Sequence, residues 1–179
     1  LSFTVTFDED VTVDGNDSML NLTIGTAARS ATFDSSTANS ITYTYTVQAG
    51  DNDADGIAID GITPGLTTIR DAAGNNASLS LTGGLPPTTG VIVDTTAPSV
   101  SGNMSVPADA TYVAGQTLEF KITFNEAIAV SGNDSTLGLT IGSTARSASF
   151  HSADGSTVTY RYTVQTGDVD ADGISIHAI

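Results

Sequence analysis

Residues 1–25, LSFTVTFDEDVTVDGNDSMLNLTIG, decide the fold, and residues 118–142, LEFKITFNEAIAVSGNDSTLGLTIG, repeat the decision. In the first stretch Leu1, Phe3, Val5 and Phe7 alternate with Ser2, Thr4 and Thr6, a period of two that turns one face of a strand toward a core. Leu20, Leu22 and Ile24 alternate in the same way, as do Ile41, Tyr43, Tyr45 and Val47 further on. Thr fills the other face, where a β-branched polar side chain suits the solvent side of a pleated sheet. Turn sequences such as Asp14-Gly15-Asn16, Ala73-Gly74-Asn75 and Asp154-Gly155 separate the runs, and no segment carries a helical period. Short strands at this spacing predict an all-β fold of antiparallel β-sandwiches.

The self-similarity continues without a gap to Ile62 and Ile179, at an offset of 117 residues and with roughly three in five aligned positions identical. Two copies of one domain follow. Copy one has no counterpart of 99–117, and copy two stops before any counterpart of 63–98. The expected organisation is therefore a repeat over 1–94 lacking its N-terminal strand, a linker over 95–98, and a repeat over 99–179 lacking its C-terminal strand. Pro98 fixes its own φ and pushes Ala97 to an extended conformation, so a short, stiff linker is expected. Residues 83–87, Gly-Gly-Leu-Pro-Pro, read as an irregular loop. A chain that opens on a strand at Leu1, without Met, reads as a window on a longer array; missing strands supplied by neighbouring molecules are the alternative.

Composition narrows the function. Five basic against twenty acidic residues give a formal charge of −15, which repels nucleic acid and anionic membranes. There is no apolar run of membrane-spanning length, and with no Cys there is neither a disulfide nor a thiolate metal site. Six of the twenty acidic residues lie in two matched loops: Asp51, Asp53 and Asp55 before Gly56, and Asp168, Asp170 and Asp172 before Gly173. Alternating carboxylates on a tight loop repel one another unless a cation neutralises them, and a flexible oxygen-rich loop suits calcium better than magnesium. The EF-hand pattern fails, since loop position twelve is Ile62 or Ile179 rather than Glu. The competing reading is that these Asp residues cap turns.

The linker VDTTAP (93–98), the two GDxDADGI loops and the DAAGN turn (71–75) together resemble bacterial immunoglobulin-like repeats of very large secreted, calcium-dependent surface and biofilm adhesins. The resemblance covers the whole chain. It implies an extracellular, cell-surface extender whose partners are adjacent repeats or neighbouring copies. A likeness to cadherins, in architecture only, implies calcium at the domain junction. If the strands run up and down as in an immunoglobulin sandwich, the loop after the strand at 41–47 lies at the pole where the chain exits, so Asp51, Asp53 and Asp55 would be joined by Asp94 and by the next domain's Glu126, with Asn133 and Asp134 on the same side; Glu9, the twin of Glu126, would face a preceding domain. The other readings are a filament or surface-layer subunit built by strand complementation, and a carbohydrate- or ligand-binding adhesin module. Catalysis is not expected: the only histidines, His151 and His177, are Asp34 and Asp60 in copy one, and no nucleophile or phosphate-binding motif is present. Arg29 and its twin Arg146 are expected to pair with an acidic neighbour.

Overall fold

A computed structural model describes residues 1–81 and 84–177. Gly83 of the expected irregular loop and Ile179 at the end of the repeat lie outside the described residues. The chain divides into one unit over Leu1–Thr96 and a second beginning at Ala97, a division that falls inside the expected linker. Among the described residues all regular structure is β, and no helix is long and apolar enough to cross a membrane.

The first unit holds β1 (Ser2–Thr6), β2 (Thr12–Asp14), β3 (Met19–Ile24), β4 (Ala27–Ser36), β5 (Ser40–Thr44), β6 (Ala58–Thr63) and β7 (Thr68–Arg70). Five of them form an antiparallel sheet in the order β1-β5-β4-β3-β6, and β2 pairs with β7 as a separate ribbon. The second unit holds β8 (Thr117–Thr123), β9 (Thr136–Ile141), β10 (Thr144–Asp154), β11 (Thr157–Thr163) and β12 (Ser175–Ile176). Its order, β12-β9-β10-β11-β8, matches the first sheet strand for strand. Even the irregularity repeats: β4 slips register between Phe33 and Ser35, and β10 between Phe150 and Ser152. Residues 129–131, the twin of β2, form no strand.

The alternation read in sequence places the core. Leu20, Leu22, Ile24, Ile41 and Tyr43 are each at most 1% exposed, and their twins Leu137, Leu139, Ile141, Val158 and Tyr160 fill the second core. Each large apolar side chain so buried contributes about 1.5–3 kcal/mol. The buried Tyr43 hydroxyl donates to Ser18 Oγ at 3.3 Å, so its polar end is not left unpaired. Val11, Val13, Ile69, Leu79, Val91 and Val93 pack on the sheet from the other side, which makes the first unit sandwich-like with a thinner second layer.

Antiparallel pairing also sets the poles. β1 ends beside Asn39, whose carbonyl accepts the Phe7 N–H, whereas β5 runs the opposite way and ends beside Leu1. The Asp loop after β5 and the Glu9 loop after β1 therefore lie at opposite poles of the first unit. The same holds for the Asp168 and Glu126 loops of the second, where Phe124 N–H bonds the Ser156 carbonyl at the far end of β11.

Candidate functional site

The loop after β5 folds around its own carboxylates. Asp51 is fully buried. Its Oδ2 accepts from the Tyr45 hydroxyl at 2.6 Å and the Gln48 N–H at 2.8 Å, and its Oδ1 accepts from Arg29 Nε at 2.8 Å. The Tyr45 hydroxyl, then the Gln48 N–H and the Arg29 guanidinium, hold this carboxyl below the ordinary Asp value. Burial and the adjoining carboxylate push the Tyr45 hydroxyl up. Arg29 reaches the pair from β4, with its side chain 31% exposed.

Asp53 is spent on backbone. Its Oδ2 accepts the Gly25 N–H at 2.6 Å, and its Oδ1 accepts Gly56 N–H at 2.7 Å and Asp55 N–H at 3.2 Å. These bonds, the Gly25 one foremost, lower its pKa against the opposing effect of burial. Gly25 turns the β3–β4 hairpin at φ 59°, and a Cβ there would run into the Asn52 carbonyl, so only Gly brings the hairpin tip against the loop. Asp55 is exposed.

The second unit repeats this knot. Asp168 accepts from the Tyr162 hydroxyl at 2.6 Å, the Gln165 N–H at 2.8 Å and Arg146 at 2.8 and 2.9 Å. Asp170 accepts Gly142 N–H at 2.7 Å, Gly173 N–H at 2.7 Å and Asp172 N–H at 3.2 Å. Asp168 and Asp170 are lowered in pKa for the same reasons as their twins, and Asp172 is exposed. A pattern this closely reproduced reflects the shared sequence: Gly, Arg, Tyr and both Asp recur at every equivalent position.

The donor set does not suit the expected calcium. A guanidinium 2.8 Å from Asp51 Oδ1 supplies the positive charge that a cation would, and the remaining lone pairs are engaged by a hydroxyl and by amides. Asp53 faces the hairpin tip and Asp55 faces solvent, so the three carboxylates do not converge. Among the described residues no group of three or more His, Cys, Asp or Glu is placed to hold an ion. In this geometry Asp51 and Asp53, like Asp168 and Asp170, are acceptors that close a loop, while Asp55 and Asp172 face solvent.

The other expected ligands lie elsewhere. Asp94 Oδ1 accepts the Thr96 N–H at 2.8 Å and shapes the outgoing chain. Glu9 is exposed at the pole away from the Asp loop of its unit. Glu126 differs: its Oε1 is buried without a hydrogen-bond partner. In place of His177, copy one has Asp60, and both bond across to the matched Thr: Asp60 Oδ2 accepts from Thr23 at 2.8 Å, while His177 Nε2 lies 2.7 Å from Thr140 Oγ1.

The Asp loop also grips the outgoing segment. Asp53 and Val93 exchange backbone bonds of 2.7 and 3.0 Å. Gly50 N–H donates to Thr95 Oγ1 at 2.9 Å, Thr95 N–H donates to Asn52 Oδ1 at 2.9 Å, and Thr96 Oγ1 donates to the same oxygen at 3.2 Å. No sequence motif announced this clamp, whereas the acidic partners expected for Arg29 and Arg146 are Asp51 and Asp168. Against protein-family models, curated proteins and solved structures alike, the chain finds no match.

Proposed function

We propose that this chain is part of a structural extender, a run of similar β units that carries tension along a bacterial cell-surface adhesin. The observation that carries the proposal is the path of the chain through the repeat. In the second unit the chain arrives at the Glu126 pole, where Ser99 N–H bonds Asn125 Oδ1 at 2.7 Å. In the first it leaves from the opposite pole, clamped by the Asp51–Asp53 loop up to Thr96. With about 3.3 Å per strand residue, the poles are roughly 25 Å apart along β11. A repeat that takes the chain in at one end and releases it at the other adds length, and one whose outgoing segment is hydrogen-bonded to the Asp51–Asp53 loop resists pulling. The proposal includes no catalytic role.

Single-molecule pulling on the ends of the chain tests this. Two cooperative ruptures, one per unit, are expected, and extension without ruptures would refute a force-carrying role.

A second reading, calcium stiffening, is favoured by one observation, the unpartnered Glu126 Oε1. It places a cation at the loop after β8 rather than at the Asp loops. Calorimetric titration of calcium decides it: heat that disappears in Glu126→Gln supports the site, and no heat with the unmodified chain removes it.

A further inference from the structure

The segment leaving the first unit is gripped chiefly through one exposed side chain. Asn52 Oδ1 accepts from Thr95 N–H at 2.9 Å and from Thr96 Oγ1 at 3.2 Å. Thr95 Oγ1 accepts Gly50 N–H at 2.9 Å and donates to the Asp51 carbonyl at 3.1 Å, while Thr96 N–H donates to Asp94 Oδ1 at 2.8 Å. Asn52 is held in place because both its neighbours are anchored, Asp51 by Tyr45 and Arg29 and Asp53 by Gly25 N–H and the Val93 backbone. Asp94 is the one carboxylate among these groups. Amide and hydroxyl partners satisfy one another directly, so the grip needs no ion.

Little free chain follows. Ser99 is tied by its N–H to Asn125 Oδ1 at 2.7 Å and by its carbonyl to Asn125 N–H at 2.9 Å. Between Thr96 and Ser99 lie Ala97 and Pro98, and Pro98 restricts the backbone of both.

The second copy differs at this position. Gly167, Asp168 and Asp170 match Gly50, Asp51 and Asp53, but Val169 stands where copy one has Asn52. The two loops nevertheless fold alike. Asp168 accepts Gln165 N–H and Asp170 accepts Gly142 N–H, as their twins accept Gln48 and Gly25, and Gly142 meets the Val169 carbonyl as Gly25 meets that of Asn52. The side chain at this position is therefore not what shapes the loop. Copy two keeps the backbone groups that hold Thr95, but valine has no acceptor, so the bonds made by Asn52 Oδ1 are the ones it cannot make.

We infer that Asn52 is a metal-free lock on the outgoing segment, and that the residue at this loop position, Asn52 or Val169, decides whether a unit grips the departing chain through its side chain. The order of the exit is thereby set by one exposed residue, separately from the core of the unit. The inference goes beyond the extender reading and is read out without force, so the two fail separately.

The test is amide hydrogen exchange by NMR on the full chain carrying Asn52→Val, the residue that copy two accommodates in the same loop. Thr96 N–H, whose own acceptor is Asp94, is expected to exchange about tenfold faster, because the two bonds that hold its segment are gone. Val93 N–H, bonded to the Asp53 carbonyl, keeps its protection. Asn52→Asp retains an acceptor oxygen and keeps the slow exchange at Thr96, and chelator changes neither protein. Unchanged exchange at Thr96 in Asn52→Val, equal quickening in Asn52→Asp, or release of the segment by chelator alone would each overturn the inference. If Asn52→Val also frees Val93, Thr96→Val removes the hydroxyl bond alone and decides the matter at Thr95 N–H: faster exchange there supports the lock, and unchanged exchange overturns it.

Discussion

Replacing Tyr45 by Phe removes one oxygen from the middle of the loop knot and leaves the ring in place. The lost bond is short, 2.6 Å, and ends on a carboxylate that is fully buried. Hydrogen bonds to charged groups are worth about 1.5–3 kcal/mol, and the low end applies because Gln48 N–H and Arg29 still serve Asp51. A loss of about 1.5 kcal/mol in a unit of this size lowers its melting temperature by roughly 6–12 °C. The pH dependence follows from the sign of the Asp51 shift. Its folded pKa is depressed below the ordinary Asp value, so its stabilisation is present above the unfolded value and is lost as pH falls through the folded one. Tyr45→Phe weakens the chief cause of that depression. The gap between variant and unmodified chain is therefore full at neutral pH and shrinks once the pH drops below the ordinary carboxylate range. Calorimetric melting at neutral and strongly acidic pH, with and without chelator, measures it. An unchanged melting temperature at neutral pH would refute the knot as a stabilising element, and a gap that chelator alone abolishes would return the loop to a metal.

The matched units sharpen other expectations. Tyr162→Phe should lower the melting of the second unit by a similar amount while leaving the first unit's amide exchange unchanged. Gly25→Ala forces a Cβ toward the Asn52 carbonyl at a positive φ, so a loss of about 1–3 kcal/mol is expected, visible as faster hydrogen exchange at the β3–β4 turn. Leu22→Ala and Leu139→Ala empty equivalent sites that are each 1% exposed, and denaturant titration should show about 3–5 kcal/mol lost in the unit that carries the change. Calcium followed by amide NMR should move signals around Glu126 and leave Gly25, Gln48 and Gly56 in place; the reverse pattern would favour the Asp loop as the ion site.

Strand identity was legible because it is a local property. Whether Leu20, Leu22 and Ile24 point one way depends only on the two-residue period of an extended chain, and the second copy repeated the pattern independently. The Asp loops were legible as sites of concentrated charge but not as to what neutralises it. Asp-x-Asp-x-Asp-Gly is compatible with an ion or with protein donors, and the donors come from Arg29 and Gly25, separated from their acceptors by 22 and 28 residues. Glu126 and Asp94 follow from strand parity; the chain does leave beside the Asp loop, yet Asp94 turns to the Thr96 amide.

Composition, period and repeat thus determine a great deal without coordinates: an acidic chain whose regular structure, among the described residues, is all β, with one strand pattern repeated. Those features are read from neighbours along the chain, where the backbone dictates which side chains share a face. The fate of the carboxylates depends on which distant segments arrive beside them. A hairpin tip and a guanidinium are brought to the Asp loops, and the segment from Ser99 to the edge of β8, by packing, and packing is where a charge meets its counter-charge or an edge finds a strand.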